Sequence, residues 1–137
     1  MKDGQWEGIA ASGLRSLDSE HDVQLKLLAA FRILAEDPAS HVKRTEILEQ
    51  LIDYTKAHFA SEQLLMRLYS YSRCQEHLAD HEEALAKLED LRAAHEAHAL
   101  SSPIAAADAL VDALCSHIGG ADRALGQFII RLGVGPG

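Results

Sequence analysis

Helix-breaking residues are placed so that four long stretches of this chain run without interruption. Gly4, Gly8 and Gly13 lie near the start, Pro38 and Pro103 stand alone, and Pro136 falls within the glycine-rich segment at 133–137. Between them apolar residues recur at three- and four-residue steps, the period of one helix face. From about Ser19 to Glu36 the stripe is Val23, Leu27, Ala30, Phe31 and Leu34. A second helix starts after Ser40, a candidate N-cap, and carries Ile47, Leu51, Tyr54, His58, Leu65 and Leu68. Tyr69 to Ser72 reads as a tight connection, and a third helix covers about Arg73 to Leu100. Ser102 before Pro103 is a cap followed by proline at the first helical position, which opens a fourth helix to about Leu132. No strand or hairpin pattern occurs. Four helices joined by short loops predict an all-α, antiparallel up-down-up-down four-helix bundle, because short loops make consecutive helices neighbours.

Charge narrows the range of partners. Asp and Glu number 21 against 13 Lys and Arg, a net charge of −8, which offers no footing for a phosphate backbone or an anionic membrane surface. Neither nucleic acid nor a membrane is expected as a partner. Unbroken apolar runs such as Leu27 to Phe31 are far shorter than the roughly 20 residues of a membrane helix. The N-terminus has acidic residues and no apolar core behind its lysine, unlike a signal peptide, so a cytoplasmic location is expected. Cys74 and Cys115, two thiols in no paired motif, fit a reducing compartment. The whole of 1–137 reads as one domain, with an arm at 1–18 and a tail at 133–137 that looks like a linker.

Histidine is the unusual component, with 8 residues. His58 and Glu62 in HFASE, and His77 and His81 in HLADH, are four apart and so project from one helix face. The bundle topology carries His21, at the start of the first helix, and His117, in the second half of the fourth, to the same end. The second helix from Ser40 to His58 rises about 27 Å and the first from His21 to Glu36 about 22 Å, so both return to a similar level. Imidazoles and carboxylates on inward faces are costly unless paired or bound to metal. In HIGGAD, His117 and Asp122 are five apart, about 140° round an ideal helix, so they cannot share a narrow stripe. Asp122 is expected to reach a second metal beside the one held by His117, with Gly119 and Gly120 easing local distortion.

This set resembles hemerythrin and its bacterial relatives, four-helix bundles holding a non-heme di-iron site. The resemblance runs through GLRSLDSEH at 13–21, YTKAHFASEQLLM at 54–66, HLADH and HIGGAD, and Trp6 stands where the family often has an N-terminal aromatic. It implies that His77, His81 and His117 bind one iron and His21 and His58 the other, with Glu62, Asp122 and an oxo or hydroxo group as bridges. Two octahedral irons have about 12 positions in all, and this set leaves one open, on the two-histidine iron, where O2 would bind. NO, azide and other small ligands would compete there. By the same resemblance Phe59, Ala113, Leu114 and Ile118 line the O2 pocket. The Glu-x-x-His repeats of ferritin-like oxidases are missing.

The sequence departs from the family at Ala113, where hemerythrins usually carry a tryptophan. A wider, wetter approach to the open iron and faster autoxidation are expected. Ala113 and the glycine-rich tail favour an oxygen- or redox-sensing domain that regulates a fused or partner signalling output; a free-standing O2 carrier or store is the alternative. A di-iron peroxidase or NO-handling enzyme is disfavoured, because no catalytic acid or base is evident beyond the ligands, so the chain is not expected to be an enzyme. His41, His95 and His98 are expected on solvated helix ends, and Asp18 and Glu20 as helix N-terminal charges.

Overall fold

A computed structural model describes the backbone of residues 15–133 and the side chains of 20–133. Trp6, residues 1–14 of the expected arm and residues 134–137 of the tail lie outside the described residues. Helix α1 spans Arg15–Leu34, α2 His41–Leu68, α3 Cys74–Glu96 and α4 Pro103–His117. A π-helical turn, Ile118–Asp122, joins α4 to α5, Arg123–Arg131, so that the two continue as one rod. No strand occurs among the described residues. Helix α1 packs on α2 and α4, and α3 packs on the same two, which makes the square of a four-helix bundle.

The helix ends show where local chemistry overrides a simple reading of breakers. The first helix begins by Arg15 rather than Ser19, since nothing between Gly13 and Ser19 breaks it. Ser40 stands at the N-cap of α2 but makes no cap bond. Its hydroxyl instead turns back to the Leu34 carbonyl at the end of α1 and the Asp37 carbonyl in the loop. Ser102 does cap, accepting from the Ala105 N–H at 3.1 Å. Helix α3 ends at Glu96, four residues short of Leu100, because His98 takes φ +53° and the Ala99 N–H bonds back to the Ala94 carbonyl. Ser70, at φ +51°, ends α2 in the same way, with the Tyr71 N–H on the Met66 carbonyl. Both are Schellman ends with a side chain in the left-handed position that usually takes glycine.

Three apolar layers fill the bundle. Phe31, Ala35, Leu48 and Ala107 lie at one end. The middle layer is built on Leu28, Leu51, Leu88, Leu110 and Leu114. Met66, Tyr71, Leu125 and Ile129 close the other end. By chain position the polar cluster described below falls between the last two layers. The stretch Pro103–Arg131 is long and apolar enough, by length and composition, to cross a membrane, which the short apolar runs in the sequence conceal. In the bundle its Leu110, Val111, Leu114, Ile118, Leu125 and Ile129 are all buried against the other helices.

The far end of the bundle corrects a sequence expectation. His95 is buried, and His41 stacks against both His95 and His98, with ring centroids 4.1 and 3.9 Å apart. The Thr45 hydroxyl meets His95 Nε2 at 3.0 Å. These histidines join the start of α2 to the end of α3, with His41 half-buried and His98 exposed.

Leu51 is fully buried in the middle layer and Leu64 is 60% exposed on the same helix. Leu51→Ala should cost about 2–5 kcal/mol in denaturant unfolding, and Leu64→Ala should stay within about 0.5 kcal/mol of the unaltered chain.

Candidate metal centre

Five imidazoles and two carboxylates from all four helices of the bundle meet in its interior. His21 comes from α1, His58 and Glu62 from α2, His77 and His81 from α3, His117 from the end of α4, and Asp122 from the π-turn. Exposure is 0% for His21, Glu62 and Asp122, and at most 6% for the other four. Their ligand atoms form two overlapping groups. One is Glu62, His77, His81, His117 and Asp122, and the other is His21, His58, Glu62 and Asp122; within each, all the atoms lie within 4.8 Å of one another. The structure thus brings together every residue the sequence nominates for metal, in the grouping the family resemblance implies.

Asp122 is the hinge between the groups. Its Oδ2 lies 2.8 Å from His21 Nε2 and 3.4 Å from His58 Nε2. Its Oδ1 lies 2.9 Å from His77 Nε2 and 3.0 Å from His117 Nε2. Glu62 offers Oε1 to His81 at 2.8 Å and to His77 at 3.4 Å, while its Oε2 is buried without a partner.

The π-turn explains how two residues five apart serve one site. In a regular α-helix Asp122 would stand about 140° from His117, but a π-turn inserts one extra residue per turn and brings i and i+5 onto one face. Sequence spacing alone hides this. Gly120 does not have a positive φ, and a Cβ there would meet nothing within 4 Å. The turn therefore does not require glycine at that position, contrary to the role expected of it.

Burying this much charge shifts the proton balance of several of these groups. Burial raises the Glu62 pKa well above the usual carboxylate range, and the neighbouring Asp122 charge raises it further. For Asp122 burial acts upward too, but the ring nitrogens of His117, His21, His58 and His77 around it outweigh that and hold the carboxyl well below that range. Burial would lower His58, yet bonds to Asp122 and Glu20 push it up to about 10. His81 falls to about 3, through burial and the charges of His77 and His117. His58 and Glu62 thus favour their protonated forms, which a bound ion would have to displace, while His81 and Asp122 favour the proton-free forms that ligate.

The donor set fits two metal ions. Among the buried polar atoms that lack a hydrogen-bond partner are Glu62 Oε2, His117 Nε2 and Asp122 Oδ1, all facing the shared centre. Orphaned buried atoms are rare in folded proteins. His117 Nε2 and Asp122 Oδ1 approach to 3.0 Å without hydrogen-bond alignment, as expected of atoms aimed at a third body.

Sequence reasoning missed three participants. Glu20, assigned to helix-end charge, accepts a hydrogen bond from His58 Nδ1 at 2.9 Å. Asp80 accepts one from His117 Nδ1 at 2.8 Å. Gln24, fully buried, donates to Thr55 Oγ1 at 2.9 Å one helical turn from His21 and His58. An acid immediately before a ligand histidine, Glu20-His21 and Asp80-His81, is the signal that could have revealed the first two.

The expected pocket residues divide. Phe59 is buried, stacked on His81 at 3.8 Å and edge-on to His117 at 5.2 Å, with His58 at 6.0 Å. Leu114 and Ile118 are buried in the same layer. Ala113 lines a cavity of about 140 Å³ with Asp80, Lys87 and His117, and a second of about 230 Å³ with Leu91 and Leu110. The gap at Ala113 therefore opens beside His117, whereas the expected approach was to the His21/His58 half.

A four-helix bundle with a buried histidine–carboxylate cluster able to hold metal defines a helical cation-binding domain. The family model for the hemerythrin HHE cation binding domain matches residues 12–129. The chain belongs to the hemerythrin family. It is 26% identical over 92 residues to a bacteriohemerythrin of Pseudomonas paraeruginosa, a match covering 67% of this chain and 60% of that protein. It is 42% identical over 59 residues to a myohemerythrin of Sipunculus nudus, covering 43% and 46% of the two chains. A crystal structure of wild-type hemerythrin shares the fold with a TM-score of 0.78 at 21% identity, covering 92% of this chain and 94% of the other.

Loading the metal-free protein with divalent ions should release protons, detected with a pH indicator. Apparent affinity should rise as pH is raised from about 6 toward 10, because below about 10 His58 carries a proton that the ion must displace. Gly120→Ala should leave metal content unchanged and stabilise the fold by about 0.4–1 kcal/mol, because the unfolded chain loses freedom and nothing obstructs the methyl group.

Proposed function

We propose that this chain holds two non-heme irons at the cluster and binds O2 reversibly there, as an oxygen- or redox-sensing domain for a fused or partner signalling output. The observation that carries the reading is Asp122, with one oxygen turned to His77 and His117 and the other to His21 and His58. A carboxylate placed between two imidazole groups is what a dinuclear centre needs as a bridge. Glu62, with one oxygen on His81 and the other without a partner, supplies a second. Bound as ferrous ions, the pair would supply the electrons that O2 takes up and returns.

The protein's own part is to hold and shelter. His21 and His58 give their half one imidazole fewer than His77, His81 and His117 give theirs, so the open position belongs to the first half. Phe59, Leu114 and Ile118 pack beside the cluster and limit water. Ala113 weakens that shelter on the His117 side, where the cavity also reaches Asp80. Leakage of water and protons favours a short-lived oxygenated form, which suits a sensor. Complete burial of His21, Glu62 and Asp122 is the feature that favours the alternative, an O2 carrier or store. No enzymatic turnover is proposed. Two free cysteines, Cys115 with its thiol pKa raised by burial, suit a cytoplasmic setting.

Iron per chain and the optical spectrum of the reduced protein before and after air test this reading. Two irons with an oxygen-dependent, reversible charge-transfer band are expected; no iron, or one ion without such a band, overturns it. Autoxidation within minutes supports sensing and hours support carriage. Ala113→Trp should slow autoxidation, and an unchanged rate removes Ala113 from the explanation.

A further inference from the structure

We propose that Glu20 and Asp80 are positioning residues, one for each half of the cluster, each fixing the tautomer and aim of a single ligand imidazole on the neighbouring helix. The inference rests on the reading that the cluster holds two ions.

An imidazole that ligates through Nε2 carries its proton on Nδ1, and an acceptor at Nδ1 sets both the tautomer and the plane of the ring. His21, His77 and His81 have buried Nδ1 atoms without partners. His58 and His117 do not: His58 Nδ1 bonds Glu20 Oε1 at 2.9 Å and His117 Nδ1 bonds Asp80 Oδ2 at 2.8 Å. One ring in each metal group is therefore held from behind, and the hold is a carboxylate in both cases.

The placement repeats. Glu20 and Asp80 each directly precede a ligand, His21 on α1 and His81 on α3. One residue is about 100° of helix rotation, so a side chain just before an inward ligand stands at the flank of that face, toward the next helix. Each reaches the following helix, α1 to α2 and α3 to α4. The ring it grips is itself followed by a bridging carboxylate, Glu62 after His58 and Asp122 after His117. The centre is thus two copies of one unit: an acid–histidine pair on the first helix, and a histidine with its bridge on the second. His77 is the unmatched addition that gives one half its third imidazole. Both outer carboxylates keep contact with solvent, Glu20 at 27% and Asp80 at 42% side-chain exposure, while the rings they hold are buried. The Ser61 hydroxyl adds a contact to Glu20 Oε2 at 3.5 Å.

The test uses Co(II) as a probe that air does not consume, with chelator competition on the unaltered chain, Glu20→Ala, Asp80→Ala and the isosteric Asp80→Asn. Thermal unfolding of each metal-free protein separates bracing from positioning. Each alanine variant should weaken one of two bound ions by about 10–100-fold and leave the other within about threefold. Asp80→Asn, which keeps an acceptor but loses the charge, should recover part of that affinity, and in the iron-loaded protein should raise the midpoint potential. Should Asp80→Ala fail to fold, Asp80→Asn and Glu20→Ala carry the test. Two ions held as tightly in every variant as in the unaltered chain, with only the unfolding temperature lowered, would overturn the proposal and leave the di-iron reading standing. An unaltered chain that binds no Co(II) and no iron would overturn both.

Discussion

Two carboxylates lie fully buried within reach of each other, and five imidazoles surround them. A charged carboxylate taken from water into a protein interior is among the costliest groups a fold can bury, and two side by side also repel. Nothing in the apolar layers above and below offsets that. The histidines do, and each of the four bundle helices must deliver at least one of them to the same level. That requirement fixes the up-down order, the register of α1 against α2 and of α3 against α4, and the position of the π-turn. The apolar core is then the packing that holds four rods at the separation this cluster needs.

How much of this the amino-acid order revealed depended on whether a feature was periodic. The four helices, the proline stops and the i, i+4 pairs His58/Glu62 and His77/His81 were legible, because a regular helix turns fixed spacing into a shared face. His117 and Asp122 could be nominated but not placed, since their spacing suits one face only where the helix changes its own period. Glu20 was read as a helix-end charge because its partner, His58, is 38 residues away and on another helix. His95 was expected in solvent; it is buried against His41 and Thr45, which lie about 50 residues away on another helix, so no local pattern announces it.

Ala113 shows a different limit. The missing bulk was plain in the sequence, but the side on which it opens the molecule was not. The gap meets His117 and Asp80 along the seam of α3 and α4. The gap therefore lies on the half with three imidazoles, while His21 and His58 on the other half are buried.

The π-turn carries a consequence for how chains of this kind can diverge. Between His117 and Asp122 the residues Gly119 and Gly120 are exposed, and a methyl group at 120 would meet nothing, so what stands there is less constrained than how many residues the turn holds. Removing one residue would return the segment to α geometry, swing Asp122 and all of α5 by about 100°, and take Leu125 and Ile129 off the core together with the bridging carboxylate. A lineage can thus change the exposed residue at 120 while Ile118, Asp122 and the length of the turn stay fixed.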